Sequence, residues 1–227
     1  MSKALVIAID GPAAAGKSSA AKGLARRLGY KYLNTGSLYR ALAWKMLEQK
    51  VNLDDASEVE QSCQSVQIAM STEEGATRMW VDGVDVSPYL RLPEVTSASA
   101  VISSYPGVRK KLLSIQQEIG RQGGVVAEGR DIGSVVFPNS DLKFFLDAAA
   151  STRGERRFKD LVQAGVKTDR ASTTKALVER DFKDSQRAIS PLKRGEDAIL
   201  IDSTFLNEKE VIERMFQEVT QILALKS

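Results

Sequence analysis

The stretch Ala4–Ser19, ALVIAIDGPAAAGKSS, decides the fold. Its opening, Ala4–Ile9, is short and continuously apolar, the pattern of a strand buried on both faces. Asp10–Gly16 reads as a glycine-containing loop. Lys17–Leu28 reads as a helix, with Ala21, Leu24 and Leu28 at helical spacing and Gly29 as its stop.

The alternation continues outward from that unit. Lys31–Leu33 is a weak second strand, and Leu38, Ala41, Leu42 and Met46 mark a helix. A short polar helix begins within Asp54–Gln61. Val66–Met70 and Arg78–Val86 read as strands of a small antiparallel unit, with Asp82-Gly83 as a hairpin turn signal. Val108, Leu112, Ile115 and Ile119 form a helical stripe. Gly124–Ala127, Leu142–Leu146 and Ala198–Ile201 are short apolar strands, and Ser151–Ala164 and Thr173–Arg187 are charged helices. Asn207 with Glu210 three residues on resembles a capping box opening a last helix, with Val211, Met215, Val219 and Ile222 inward. Short apolar strands between amphipathic helices predict an α/β fold, a parallel sheet with helices on both faces, as one domain carrying two insertions.

Bulk properties narrow the chemistry. The 227 residues suffice for one α/β domain with inserted subdomains. No run approaches the roughly 18–20 apolar residues that span a bilayer. Ala4–Ile9 is too short for the apolar core of a secretion signal, so no export and a cytoplasmic location are expected. The single cysteine, Cys63, excludes an intrachain disulfide. A net charge of +3, without aromatic–basic interleaving, argues against a dedicated nucleic-acid binder. The absence of histidine removes Ser-His-Asp and Cys-His catalysis and every histidine-based zinc site. Arginines collect between Arg153 and Arg194. Such a cluster suits a compact anionic ligand, because guanidinium forks match phosphate oxygens; a solvated helix face is the alternative.

Gly11-Pro12-Ala13-Ala14-Ala15-Gly16-Lys17-Ser18 fits G-x-x-x-x-G-K-[ST] between strand and helix, the context a phosphate-binding loop requires. Glycines let successive N–H groups point inward at anionic oxygens, and the helix dipole adds to their field. Lys17 is placed to reach the β- and γ-phosphates, and a hydroxyl from Ser18 or Ser19 to meet Mg²⁺. GTPase switches, ATPase motors and small-molecule kinases share this loop. No D-x-x-G followed by N-K-x-D occurs, which argues against a GTPase, and the chain is short for a motor.

Two further stretches follow strands: Tyr32–Arg40 (YLNTGSLYR) and Val126–Gly133 (VAEGRDIG). Ligands of open parallel sheets sit beyond the carboxyl ends of strands, so both belong on the edge of the phosphate loop. Two arginine-bearing strand exits suggest a second anionic substrate.

With IDGPAAAGKSS, LNTGSLYR, EGRDIGSVVFP and RDFKDSQR in this order and spacing, the chain resembles the bacterial cytidylate kinases, which are P-loop nucleoside-monophosphate kinases. The likeness covers essentially the whole chain. It implies a three-layer fold with a five-stranded parallel sheet, an acceptor-binding insertion at about 37–104 and a short lid at about 150–168. It implies ATP as donor, Mg²⁺ as cofactor, CMP and dCMP as acceptors, no nucleic-acid or membrane partner, and a monomer. Arg40 and Arg130 would hold the acceptor phosphate, and Arg109 and Asp131 read the cytosine edge. Arg180 and Asp184 would touch the ribose hydroxyls, Arg187 would lie near the phosphates, and Thr35 and Tyr39 would line the monophosphate pocket. Arg153, Arg156 and Arg157 fall in the lid, with Arg156 and Arg157 on ATP. Lys17, Arg130, Asp131 and Arg157 form the catalytic set.

Plain alternatives stand beside these roles. Arg180 and Asp184, four apart, could pair on a helix surface, Arg109 could be solvated, and Tyr39 could pack in the core. Asn34 stands where the family often has Asp, and Ala13 where it often has Ser. Ala100 stands where it often has a base-contacting Ser, for which the adjacent Ser99 is a substitute. Rival readings are a P-loop kinase with another acceptor, such as UMP or a small metabolite, a nucleotide-dependent switch, and an RNA binder.

Overall fold

In a computed structural model, residues 4–73 and 76–225 are described. The chain forms two compact units: Met1–Leu33 with Gln122–Ser227, and Asn34–Arg121.

The first unit is built on five strands: β1 (Val6–Asp10), β2 (Lys31–Asn34, entering the second unit at its last residue), and, numbered in chain order after three strands of the second unit, β6 (Val125–Glu128), β7 (Leu142–Asp147) and β8 (Ile199–Asp202). Their order across the sheet is β2-β6-β1-β7-β8. β1 pairs in parallel with β6 and β7, and β7 with β8. The sheet is parallel with helices around it, as the apolar strand runs predict. Helices α1 (Lys17–Leu28) and α8 (Glu208–Leu225) pack together, and Leu5, Ile7, Ile9, Leu24, Phe144 and Met215 share one core with them. The capping box forms at the entrance to α8: Glu210 N–H donates to Asn207 Oδ1 at 3.1 Å, and Asn207 N–H to Glu210 Oε2 at 2.7 Å. Helices α6 (Ala150–Gln163) and α7 (Arg170–Ser185) complete this unit and pack on one another.

The second unit holds α2 (Thr35–Glu48), α3 (Ala56–Ser65), the antiparallel strands β3 (Ile68–Glu73), β4 (Ala76–Val81) and β5 (Val84–Asp85), α4 (Pro93–Ile102) and α5 (Pro106–Gly120). The hairpin falls at Asp82-Gly83, whose positive φ values of 48° and 82° are those of the tight turn this dipeptide favours. α4 has no counterpart among the elements expected from sequence. Its apolar face is only Val95, Ala98 and Ile102 among serines, although Pro93 sits at a favoured first-turn position. On α5 the buried residues are Val108, Leu112, Gln116 and Gly120, so the second half of the expected stripe turns by one residue, leaving Ile115 and Ile119 half-buried.

Among the described residues no helix is long and apolar enough to cross a membrane.

Candidate active site

The loop after β1 is shaped by its backbone. Gly11 has φ 144°, and a Cβ there would lie 2.0 Å from the Leu146 carbonyl oxygen, so only glycine passes β7 this closely. Ala14 (φ 58°) and Gly16 (φ 94°) also take left-handed conformations. No side chain caps the α1 N-terminus from Gly16, so its first amides remain suited to an anion.

Lys17 is buried, and its ammonium donates to the Pro12 carbonyl at 2.6 Å. Burial, then the cation of Arg130, pull its pKa down to about 7, against the opposing pull of Glu128, Asp10 and Asp181. Ser18 Oγ donates to Glu128 Oε1 at 2.7 Å, and the Tyr32 hydroxyl to the same oxygen at 3.3 Å. Glu128 ends β6, one strand from the loop.

Beyond Glu128 the chain presents Arg130. Its Nε donates to Asp184 Oδ2 at 2.9 Å, and Arg187 pairs with the other oxygen of Asp184 at 2.6 Å. Asp184 is buried rather than on the helix surface, and its charge also attracts Arg180. It is the counter-ion that sets two arginines. Arg180 and Arg157 make no hydrogen bond or ion pair among the described residues. Arg180 is exposed on α7, yet surrounding protein partly desolvates it. That desolvation, then the cations of Arg130 and Arg157, lower its pKa. Asp184 and Asp181 oppose the fall, and Lys17, Arg130, Arg157 and Arg180 thus form a coupled cationic cluster, in which Arg157 and Arg180 make no direct ion pair among the described residues.

The three arginines expected together in the lid separate. Arg153 is buried. It donates to the Ala148 carbonyl at 2.9 Å and the Ala13 carbonyl at 3.1 Å, and pairs with Asp181. Asp181 in turn accepts the Ala13 N–H at 2.9 Å, so Arg153 and Asp181 clamp the phosphate loop from α6 and α7. Arg156 is tied to Ser203, through the hydroxyl at 3.0 Å and the carbonyl at 2.6 Å, and Ser203 Oγ donates to the Ala15 carbonyl at 3.0 Å. Burial lowers the Arg156 pKa. Only Arg157 is exposed and uncommitted.

The second unit carries the other expected residues. Thr35 is the buried first residue of α2, and Asn34 caps that helix by accepting Ser37 N–H at 3.0 Å. Arg40 donates to Ser37 Oγ at 2.9 Å. Arg109 is held rather than freely solvated: it donates to the Ser103 carbonyl at 2.8 Å and lies 5.8 Å over the Tyr39 ring. Ser99 does not replace Ala100. Neighbouring helix positions face about 100° apart. Ala100 is exposed, whereas Ser99 is buried with its hydroxyl donated to the Thr96 carbonyl at 2.8 Å.

Three carboxylates with no role read from sequence organise the first unit: Asp10, Glu128 and Asp181. Each lies inside a quoted motif, but its partner is more than 100 residues away or on another helix.

A family profile described as cytidylate kinase matches residues 7–221. The chain is 43% identical over 215 residues to the cytidylate kinase of Desulfitobacterium hafniense (strain Y51), covering 95% of this chain and 92% of that protein. It is 42% identical over 217 residues to the cytidylate kinase of Streptococcus pneumoniae (strain 70585), covering 95% and 97%. Among solved structures, a gluconokinase from Sinorhizobium meliloti 1021 aligns over 100% of this chain and 99% of its own, with TM-score 0.49 and 13% identity.

Proposed function

Because the chain belongs to the cytidylate kinase family, we propose that it transfers the γ-phosphoryl group of ATP to CMP and dCMP, yielding ADP with CDP or dCDP. The cluster of Lys17, Arg130, Arg157 and Arg180 carries this reading. Arg180, desolvated and facing the cations of Arg130 and Arg157 with Asp184 and Asp181 opposing them, is held at a cost that a polyanionic ligand relieves.

An oxygen of the acceptor phosphate attacks the γ-phosphorus in line as the bond to the β-phosphate oxygen breaks. Positioning and charge neutralisation supply most of the catalysis in such transfers. Lys17 faces the migrating group, and its ammonium regains full charge as phosphate approaches. Arg157 stabilises the transferred group, and Arg130 with Arg187, set by Asp184, receives the acceptor phosphate. A phosphate monoester has its second pKa at about 6, so the acceptor is largely ionised at neutral pH and needs no histidine base. Asp131 and Arg109 read the base, Arg180 meets the ribose, and Thr35, Tyr39 and Arg40 contact the monophosphate. The lid is assigned to about 150–168 and the acceptor-binding insertion to about 37–104, within the second unit.

The site suits Mg²⁺. The described residues include no cluster of three or more His, Cys, Asp or Glu that would cage a metal. They do offer a serine hydroxyl beside a carboxylate, Ser18 and Glu128, the sparse oxygen set with which Mg²⁺ is held together with substrate phosphates. Ser18 and Ser19 would hold the ion, which neutralises phosphate charge. The enzyme is assigned to the cytoplasm, as a monomer.

ADP formation from Mg-ATP, measured with CMP, dCMP, UMP, AMP and no acceptor, tests the reading. Strong turnover is expected only with the cytidylates and is lost in Arg130→Ala. Acceptor-independent hydrolysis, or turnover without nucleotide preference, would overturn it.

A further inference from the structure

Asp10, the last residue of β1, is buried. Its Oδ1 accepts the Ile132 N–H and its Oδ2 the Gly133 N–H, each at 2.8 Å. These amides open a single turn of π-helix, Ile132–Val136, that directly follows Arg130-Asp131. The first amides of any helical turn lack partners within the turn, and a carboxylate just before it is the usual acceptor. Asp131 stands in that place but does not cap. Asp10 caps instead, from 122 residues earlier in the chain.

The other end of the pair is fixed to the same strand, since Gly129 N–H donates to the Ile9 carbonyl at 3.0 Å. Arg130 and Asp131 are therefore suspended between two attachments to the last two residues of β1. The next residue, Gly11, begins the phosphate loop. A Cβ on Gly133 would come within 3.1 Å of Lys143 Cδ and 3.4 Å of Asp10 Oδ2, so the turn has little room to shift.

We propose that Asp10 is a positioning residue for the acceptor: by capping the turn that follows Arg130-Asp131, it fixes that pair in register with the phosphate loop. The proposal rests on the reading of Arg130 and Asp131 as acceptor contacts. The charge on Asp10 is retained against its surroundings. Burial raises its pKa to about 6, with Asp131 adding to the rise, against the two amides and Lys17. Lys143, whose side chain lies beside Gly133, is paired with Asp197 at 2.6 Å.

The test compares wild type, Asp10→Asn, Asp10→Ala and Arg130→Ala. The readouts are KM for CMP, kcat, the Kd of ATP in the absence of CMP, and melting temperature. Loss of a charged acceptor shared by two amides predicts a rise in KM for CMP of about 10- to 100-fold in Asp10→Ala, with a smaller rise in Asp10→Asn. The Kd of ATP should stay within about twofold. The ratio of KM for CMP between Asp10→Asn and wild type cancels the titration of CMP itself, and should fall towards one as pH drops through about 6. An unchanged KM for CMP, a parallel loss of ATP affinity, or a pH-independent ratio would overturn the proposal. If Asp10→Ala does not fold, Asp10→Asn decides alone. If Arg130→Ala leaves KM for CMP unmoved, the acceptor reading itself fails; if Arg130→Ala moves it and the Asp10 variants do not, only the role of Asp10 is lost.

Discussion

In the first unit, cations and carboxylates interleave: Arg153 with Asp181, Arg130 and Arg187 on Asp184, and Lys17 among Asp10, Glu128 and Asp181. In the second unit the ion pairs lie nearer water, Lys45 with Asp82 at 2.7 Å and Arg78 with Asp85 at 3.1 Å, while Arg40 donates to the Ser37 hydroxyl and Arg109 to the Ser103 carbonyl. Charged partners fix geometry and protonation, but removing one strands its counter-charge in low dielectric. Pairs that water reaches are screened, so losing one partner costs little. The same residue type should therefore fail in different ways in the two units.

Arg153→Ala should show the largest effect, and on stability. It leaves Asp181 nearly buried and unpaired beside the Ala13 amide, a loss of about 3–5 kcal/mol. At roughly 2–4 °C per kcal/mol for a chain of this size, thermal melting should fall by about 6–20 °C. Asp181→Asn in the same background should recover part of it. A melting point unchanged in Arg153→Ala would break the contrast between the units.

Lys17→Met should cost rate instead, about 10²- to 10³-fold in kcat, the range for one donor aimed at developing charge. It also carries a pH signature. With its pKa lowered to about 7, Lys17 is ionised below that value in the folded protein but up to 10.5 when unfolded. Between those values the unfolded chain binds more protons, so stability should rise with pH, and Lys17→Met should flatten that rise. Phosphates reverse the shift. ATP binding at pH 8 should then take up close to one proton, read by calorimetry in buffers of different ionisation enthalpy, and Lys17→Met should abolish the uptake.

Arg109→Ala sharpens the contrast from the other side. Arg109 is half-buried where Arg153 is buried, so melting should fall less than in Arg153→Ala. KM for CMP should rise about 10- to 100-fold, as for a lost charged hydrogen bond, with kcat less affected. A large fall in melting temperature with unchanged KM would make Arg109 a structural residue.

What could be read from sequence divides along the same line. The phosphate loop, the Asp82-Gly83 turn and the Asn207–Glu210 box are local patterns whose partners lie within a few residues. The functions of Asp10, Glu128 and Asp181 depend on pairings across 122, 110 and 168 residues. The run Ile132–Val136 (IGSVV) is β-branched and would pass for strand; it turns because Asp10 accepts its first amides. Arg153, Arg156 and Arg157 are near-neighbours in one charged helix, and no periodicity distinguishes clamp, tether and uncommitted charge.

The smallest effect expected is that of Asn34→Asp. Asn34 caps α2 through the Ser37 amide, and the first turn of that helix has no acidic residue. Aspartate accepts the same hydrogen bond and adds a charge favourable to the helix N-terminus, worth about 0.3–1 kcal/mol. Melting should rise by about 1–4 °C. Because the gain is electrostatic, it should shrink in molar salt and vanish once the carboxylate is protonated near pH 4. The unfolded aspartate titrates at an ordinary value and the folded one below it, so the added stability is present above that value and lost as pH falls through the folded pKa. A gain that persists at low pH would assign it to hydrogen-bond geometry rather than charge. The head of α2 would then owe its added stability to the geometry of the cap, as it already does with Asn34.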